Sequence, residues 1–503
     1  MNLSSEKLPP LRFDGERRLS SADLSRAAGP MTLELSSATR EAITRCATFV
    51  LALHARKVPI YGMSTGFGPL VIHGAAPHPT EQGLGLLNHL RAGQGELLAP
   101  ALVRATLLAR VWSLAKARSG VSLGVVEALL AALATPFAPA VPEWGSLGAS
   151  GDLAPLAHAV GALSGEGEAF FGGERLPASV ALERAGLSRL VLGGRDALGL
   201  VNGTSLTAAA AGLAVSAAQA AVKTGIALTA LLCETLGAGA GFAATELLEA
   251  SGHPAAAGIA RQLQGLLEGS TARADRPLQE AYSLRCAPQL IGAVSGVVEQ
   301  TAGVVDNDLN GVSDNPLFFP EQDRVIHGGN FFGQPVAFAA DALNVALTQL
   351  ANLAERQLDL LMDPNRNGGR PLLLAADPGA QSGVAGVNMT ATALVAAMRR
   401  YAMPSSIQSI PTNGHNQDVV PFGTQAALEA LRQSERLALV QASLALGLRQ
   451  AAYVGGPRPT SPAGKLLLET LEAEIAPVDP DRPLGGDVRT LAQLLRRRAE
   501  TFT

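Results

Sequence analysis

Residues 206–236 read LTAAAAGLAVSAAQAAVKTGIALTALLCETL, with no proline and no period-two alternation. Alanine and leucine dominate the stretch, and both lose little freedom on entering a helix. Between Thr207 and Cys233 the apolar run is broken by Gln219 and Lys223 and is mostly alanine. A membrane span needs about 20 strongly apolar residues, so this reads as a buried core helix or helix pair. The pattern continues outward. From Ser37 to Lys57 the apolar positions Ile43, Cys46, Val50 and Leu53 recur every three to four residues, which is one face of a helix. Val103 to Arg118 behaves likewise and stops at Ser119-Gly120, a helix-ending pair. Further Ala/Leu-rich stretches run over 289–305, 336–362, 386–401 and 424–450. The predicted class is mainly α.

The chain has 503 residues, 47 % of them hydrophobic and 16 % charged, enough apolar surface for a large core and for burial in an oligomer. A net charge of −4 and a pI of about 6.1, with no concentrated basic tract, give nucleic-acid binding no electrostatic support. Arg496-Arg497-Arg498 falls on a predicted C-terminal helix and reads as a solvated face. Cys46, Cys233 and Cys286 lie far apart in apolar or helical context, with neither disulfide nor zinc spacing, which suits core filler in a reducing compartment. The opening MNLSSEKLPPLRFDGERRLS has no apolar h-region. A cytoplasmic protein with no membrane partner is expected.

Gly/Pro/Asn/Ser-rich segments separate the helices at 59–69, 142–156, 199–205, 307–335 and 404–423. Each is short and specific in composition, the pattern of loops that carry function on a rigid scaffold. The expected organisation is a smaller N-terminal domain, residues 1–205, leading into a long helical bundle with C-terminal helices, residues 206–503.

One of these loops can do unusual chemistry. Ala149, Ser150 and Gly151 have almost no side-chain bulk, so the backbone can fold tightly on itself. Attack of the Gly151 nitrogen on the Ala149 carbonyl would close a five-membered ring. Loss of two waters, one taking the Ser150 hydroxyl, would leave an exocyclic methylene conjugated to it. The product is methylideneimidazolone, a strong electrophile. The bare tripeptide, in a chain this rich in alanine and glycine, is an ordinary turn. The longer string GSLGASGDLAPLAH, Gly145 to His158, is far more specific.

That string closely resembles the cofactor-forming segment of the aromatic amino acid lyases, a family comprising histidine, phenylalanine and tyrosine ammonia-lyases and the related aminomutases. Other segments resemble the family's in the same order: Tyr61-Gly62-Met63-Ser64-Thr65-Gly66-Phe67-Gly68, Leu200-Val201-Asn202-Gly203-Thr204, Tyr282-Ser283-Leu284-Arg285-Cys286, Ser313-Asp314-Asn315-Pro316, Gly328-Gly329-Asn330-Phe331 and Asn416-Gln417-Asp418-Val419. The resemblance implies a fumarase/aspartase-like helical fold. It also implies a homotetramer with each active site assembled from three chains, and no metal or dissociable cofactor.

The reaction needs an electrophile, a base, an anion clamp and an aromatic pocket, because a β-hydrogen is barely acidic and an α-amine leaves poorly. By resemblance, Tyr61 is the base, on a lid loop whose glycines permit motion. Tyr282 assists amine or proton handling. Arg285 clamps the substrate carboxylate with its bidentate fork. Asn202 and Asn330 orient the carboxylate and the cofactor's ring oxygen, Gln289 and Gln279 support them, Leu153 binds substrate, and Phe331 packs near the cofactor.

Two positions bear on the substrate. His89-Leu90 resembles the selectivity pair of tyrosine lyases, where phenylalanine enzymes place Phe-Leu and histidine enzymes Ser-His. A histidine there can hydrogen-bond a phenol hydroxyl. Asn416-Gln417 is the pattern of phenylalanine and tyrosine enzymes, whereas histidine lyases carry Glu at the second position. The chain departs from the family at Glu280-Ala281, Phe332, Pro421-Phe422, Asn88 and Arg91. The expected activity is deamination of tyrosine to a trans-cinnamate-type acid plus ammonia. A histidine ammonia-lyase giving urocanate, or a tyrosine or phenylalanine 2,3-aminomutase, stands beside it. From a different class, a catalytically dead helical scaffold would keep Ser150 unmodified.

Overall fold

Helix starts are written into the chain by capping side chains. Ser36 Oγ accepts the Thr39 N–H at 3.1 Å and opens the helix Ser37–Ala55, whose buried residues include Ile43, Cys46, Val50 and Leu53. Ser461 Oγ does the same for Gly464 N at 2.9 Å, ahead of the helix Pro462–Glu474, with proline at its first turn. The computed structural model describes residues 9–502, so part of the N-terminal stretch searched for a leader lies outside it.

The described chain is mostly helical, as its periodicity requires. The stretch at 206–236 is one helix, Ser205–Leu236, and not a pair. Three other long helices are Ala287–Asn310, Gln334–Met362 and Gly423–Tyr453. Among the described residues two stretches, Asp196–Leu236 and Gln334–Met362, are long and apolar enough to cross a membrane by length and composition. Their most apolar windows are 78 % and 67 % buried inside the molecule, as core helices are. Strands are short: Gln94–Leu97 pairs with Pro142–Trp144, and Leu317–Phe319 with Arg324–Ile326, both antiparallel.

Two compact units emerge. The first takes in residues 9–213, 302–341 and 404–428. Its most unusual core group is Arg104, 2 % exposed, with no carboxylate partner among the described residues. Its guanidinium donates to Ala27 O, Gly29 O, Ala132 O, Leu133 O, Thr135 O and Phe137 O. Four of these six oxygens, on Ala27, Gly29, Ala132 and Leu133, belong to the ends of the helical segments Ser21–Ala28 and Leu123–Leu133, where carbonyls lack intrahelical donors. Burial pushes the guanidinium down to about 10.

The second unit takes in residues 214–301, 342–403 and 429–502. It uses the same device at Arg370, which donates to Thr235 O, Asn367 O, Ala451 O and Pro457 O. Within it Glu234 accepts from Thr460 N at 2.7 Å and Ser461 N at 2.9 Å, closing the N-terminus of Pro462–Glu474. Cys46 in the first unit and Cys233 in the second are buried, while Cys286 is half-buried. Burial pushes the first two thiols up, to about 11 and about 12.

Candidate active site

The strand Pro142–Trp144 and the helix Leu153–Leu163 hold Ala149-Ser150-Gly151 between them. Two features make the turn tight. Gly151 has a φ of +69°, and a Cβ there would lie 2.4 Å from Gly203 O. Gly203 is just as constrained, since its own Cβ would meet Arg110 Nη1 at 1.9 Å. Two glycines therefore let two backbones touch.

Three other segments pin the tripeptide. Gly151 N donates to Phe331 O at 2.9 Å, and Gly333 N to Gly148 O at 3.1 Å. Phe422 N donates to Leu147 O at 2.9 Å. Asn202 Nδ2 donates to Ser150 O at 2.8 Å, and Gln417 Nε2 to Ser150 Oγ at 2.8 Å. Behind them stands Asp152, fully buried. Its Oδ1 accepts from Ser146 Oγ at 2.9 Å, Thr207 Oγ1 at 2.8 Å and Thr424 Oγ1 at 2.8 Å, and its Oδ2 from Thr207 N at 2.9 Å. Four donors on one carboxylate fix the start of the Leu153–Leu163 helix against two others.

The Asn202-Gly203 turn is buttressed in turn. Thr204 N donates to Ser313 Oγ at 2.9 Å, and Thr204 Oγ1 donates to Asp308 Oδ2 at 2.8 Å. Desolvation pushes the partly buried Asp308 carboxyl up to about 6; the charge of Asp152 adds to this and the Thr204 bond opposes it. Below lies the ion pair Arg195–Asp314, 2.8 Å apart and buried on both sides.

Over Ser150 opens a cavity of 1330 Å³. Tyr61, His89, Leu90, Ser150, Leu153, Asn202, Phe331, Asn416 and Gln417 all line it, together with Gln82, Asn315 and Asn413. The Tyr61 phenolic oxygen accepts Gly68 N at 2.7 Å, a donor able to hold negative charge on that oxygen. Its backbone N–H donates to His327 Nε2 at 3.2 Å. Burial, with the charge of Arg195, lowers the His327 pKa, which suits an accepting ring nitrogen. His89 Nδ1 lies 3.2 Å from Gly85 O. A carbonyl only accepts, so Nδ1 carries a proton, and in the neutral ring Nε2 is left as an acceptor.

Not every expected residue lies at this cavity. Ala149 and Gly151 are buried behind Ser150, and Asn330 is exposed beside Phe331. Tyr282, Arg285, Gln289 and Gln279 belong to the second unit. There Tyr282 is 69 % exposed, and the Arg285 guanidinium stacks on its ring at 4.5 Å. Arg285 Nε is buried without a hydrogen-bond partner among the described residues. No lysine or arginine among the described residues lines the cavity.

Four of the unusual positions, Glu280, Asn88, Arg91 and Phe422, have local explanations. Arg276 pairs with Glu280 through two bonds, of 2.8 and 2.6 Å. Arg91 donates to Asn88 Oδ1 at 2.7 Å and pairs with Glu166. Phe422, at a φ of +50°, aims its N–H at the tripeptide loop. Sequence reasoning passed over Asp152, Thr207, Thr424, Asp308, Gln82 and His327. Asp152 stood inside the quoted string, and its place ahead of a helix was the available signal. Among the described residues no three His, Cys, Asp or Glu side chains form a metal-holding group.

Comparison with known proteins shows a carbon–nitrogen lyase. The profile of the aromatic amino acid lyases matches residues 19–473. A tyrosine ammonia-lyase from Cereibacter sphaeroides is 42 % identical over 469 residues, 88 % of each chain. A histidine ammonia-lyase from Symbiobacterium thermophilum is 38 % identical over 466 residues, 92 % of each. The solved tyrosine aminomutase from Streptomyces globisporus superposes with a TM-score of 0.92 at 33 % identity, covering 98 % of both chains. The chain belongs to the aromatic amino acid lyase family and shares its helical fold.

Proposed function

We propose that this ammonia-lyase acts on tyrosine, releasing ammonia and a trans-cinnamate-type acid, with methylideneimidazolone formed from Ala149-Ser150-Gly151. One observation carries the choice of substrate: His89, with Nδ1 turned to Gly85 O, presents Nε2 to the cavity, an acceptor in the neutral ring. That atom accepts a phenol O–H, and phenylalanine would leave it unpaired.

The residues present fit the cofactor. Gly151 has the backbone freedom that ring closure needs, Gln417 holds the hydroxyl that must leave, and Asn202 holds the Ser150 carbonyl. Once formed, the group supplies an electrophilic carbon for the substrate's amine. The chain does the rest. Tyr61 takes the β-proton, its oxygen steadied by Gly68 N. Asn202 Oδ1, buried without a partner among the described residues, is an acceptor for a substrate N–H. The substrate carboxylate needs a cation, and the described cavity lining has none. The exposed Tyr282 and the half-free Arg285 are suited to serve the site of a neighbouring copy, in a homotetramer. The unpaired cysteines accord with a cytoplasmic enzyme.

The test is separate incubation with tyrosine, phenylalanine and histidine, followed by separation of α,β-unsaturated acids from β-amino acids. Coumarate from tyrosine is expected as the main product. Preference for histidine would refute the role given to His89, and β-tyrosine would mark an aminomutase.

A further inference from the structure

Between Tyr61 and the helix Pro79–Leu90 the chain forms a small hairpin. Gly66 N donates to His73 O at 3.0 Å, Ala75 N donates to Ser64 O at 3.3 Å, and Thr65 lies opposite Gly74. Its tip is the turn Gly68–Ile72, and Gly68 is the residue whose N–H holds the Tyr61 oxygen. The placement of the proposed base thus depends on the placement of the hairpin. Two backbone bonds anchor it weakly, since isolated two-stranded hairpins are marginal in water.

Gln82 adds a second anchorage. Its Nε2 donates to Thr65 O at 3.3 Å, and its Oε1 accepts from Ala76 N at 2.8 Å. One side-chain amide therefore joins both stems of the hairpin to the helix. Seven residues further along the same helix, on the same face, comes His89, and both side chains line the cavity.

We propose that Gln82 is a positioning residue that staples the Tyr61 lid to the helix bearing His89, so that the base and the ring-reading histidine hold one relative placement during catalysis. The inference rests on Tyr61 acting as base, and not on which aromatic amino acid is consumed. Ring binding at His89 survives loss of the staple, whereas presentation of Tyr61 does not. The effect therefore falls on turnover more than on binding.

Gln82→Leu keeps the volume and removes both bonds, while Gln82→Glu keeps the acceptor for Ala76 N and loses the donor to Thr65 O. Rates are normalised to the near-ultraviolet absorbance of the mature electrophile, and limited proteolysis reports cleavage within residues 64–76. For Gln82→Leu the expected result is a kcat lower by about tenfold, a KM within about threefold of wild type, faster cleavage in the hairpin and unchanged absorbance. Gln82→Glu falls between. Wild-type kcat and cleavage in folded Gln82→Leu overturn the proposal. So does activity lost only in step with absorbance, which would make Gln82 a folding residue. If Gln82→Leu does not fold, Gln82→Glu decides: an intermediate kcat with faster hairpin cleavage supports the staple, and wild-type behaviour overturns it. Tyr61→Phe separates the two readings: retained activity there removes Tyr61 as base, while hairpin cleavage still judges Gln82.

Discussion

The side-chain amide of Gln417 donates to Ser150 Oγ at 2.8 Å, so a residue read from sequence as a substrate discriminator touches the hydroxyl that ring closure must expel. A hydrogen bond of this kind contributes about 1 kcal/mol, or roughly fivefold in a rate it controls. Gln417→Ala is expected to slow the growth of near-ultraviolet absorbance after refolding by about that factor. An unchanged maturation rate would confine Gln417 to substrate contact.

His89 predicts a change of preference. With Nδ1 committed to Gly85 O, only Nε2 can meet a ring substituent. In His89→Phe, kcat/KM for tyrosine should fall by about 10- to 100-fold and that for phenylalanine should rise, the size expected when the polar partner of a bound phenol is removed. Equal losses on both substrates would contradict the contact.

Arg104 makes a stability prediction. Arg104→Met removes the donor shared by six backbone oxygens drawn from two chain segments, 27–29 and 132–137. The cost should be about 3–5 kcal/mol, because several buried carbonyls lose their donor at about 1–3 kcal/mol each. It is read as a shift of the denaturant midpoint, and a change below about 1 kcal/mol would show that the carbonyls find other partners.

Asp308 predicts the pH dependence of stability. Its carboxyl sits at about 6 in the folded protein, above the ordinary 3.8, so the folded state holds that proton more tightly than the unfolded chain. The stabilisation is complete below pH 3.8 and is lost as pH rises through about 6. In Asp308→Asn the side-chain amide cannot titrate but can still accept from Thr204 Oγ1. The denaturant midpoint of this variant relative to wild type should therefore rise from pH 4 to pH 7 and then level off. A difference constant across that range would contradict the assignment.

The helices were legible because their apolar period is long and unbroken. Their ends were less so. The stretch read as 289–305 extends as the helix Ala287–Asn310, because Asp306, Asn307, Asp308 and Asn310 carry no apolar repeat. Strands such as Pro142–Trp144 and Arg324–Ile326 are three residues long, too short to show alternation. Within the site, the motif segments were visible singly. That the Asn202 and Ser313 segments meet at Thr204 could not be read from their spacing. Nor could Asp152, Thr207 and Thr424 be joined, because three hydroxyl or carboxyl residues so far apart become a cluster only when their helices pack.

The central claim is that Ala149-Ser150-Gly151 matures into the electrophile. Intact-mass measurement of the purified, folded protein tests it directly. Ring closure gives a mass two waters below that encoded, with a near-ultraviolet absorbance that Ser150→Ala lacks. A folded protein of the encoded mass, still deaminating its substrate, would contradict it.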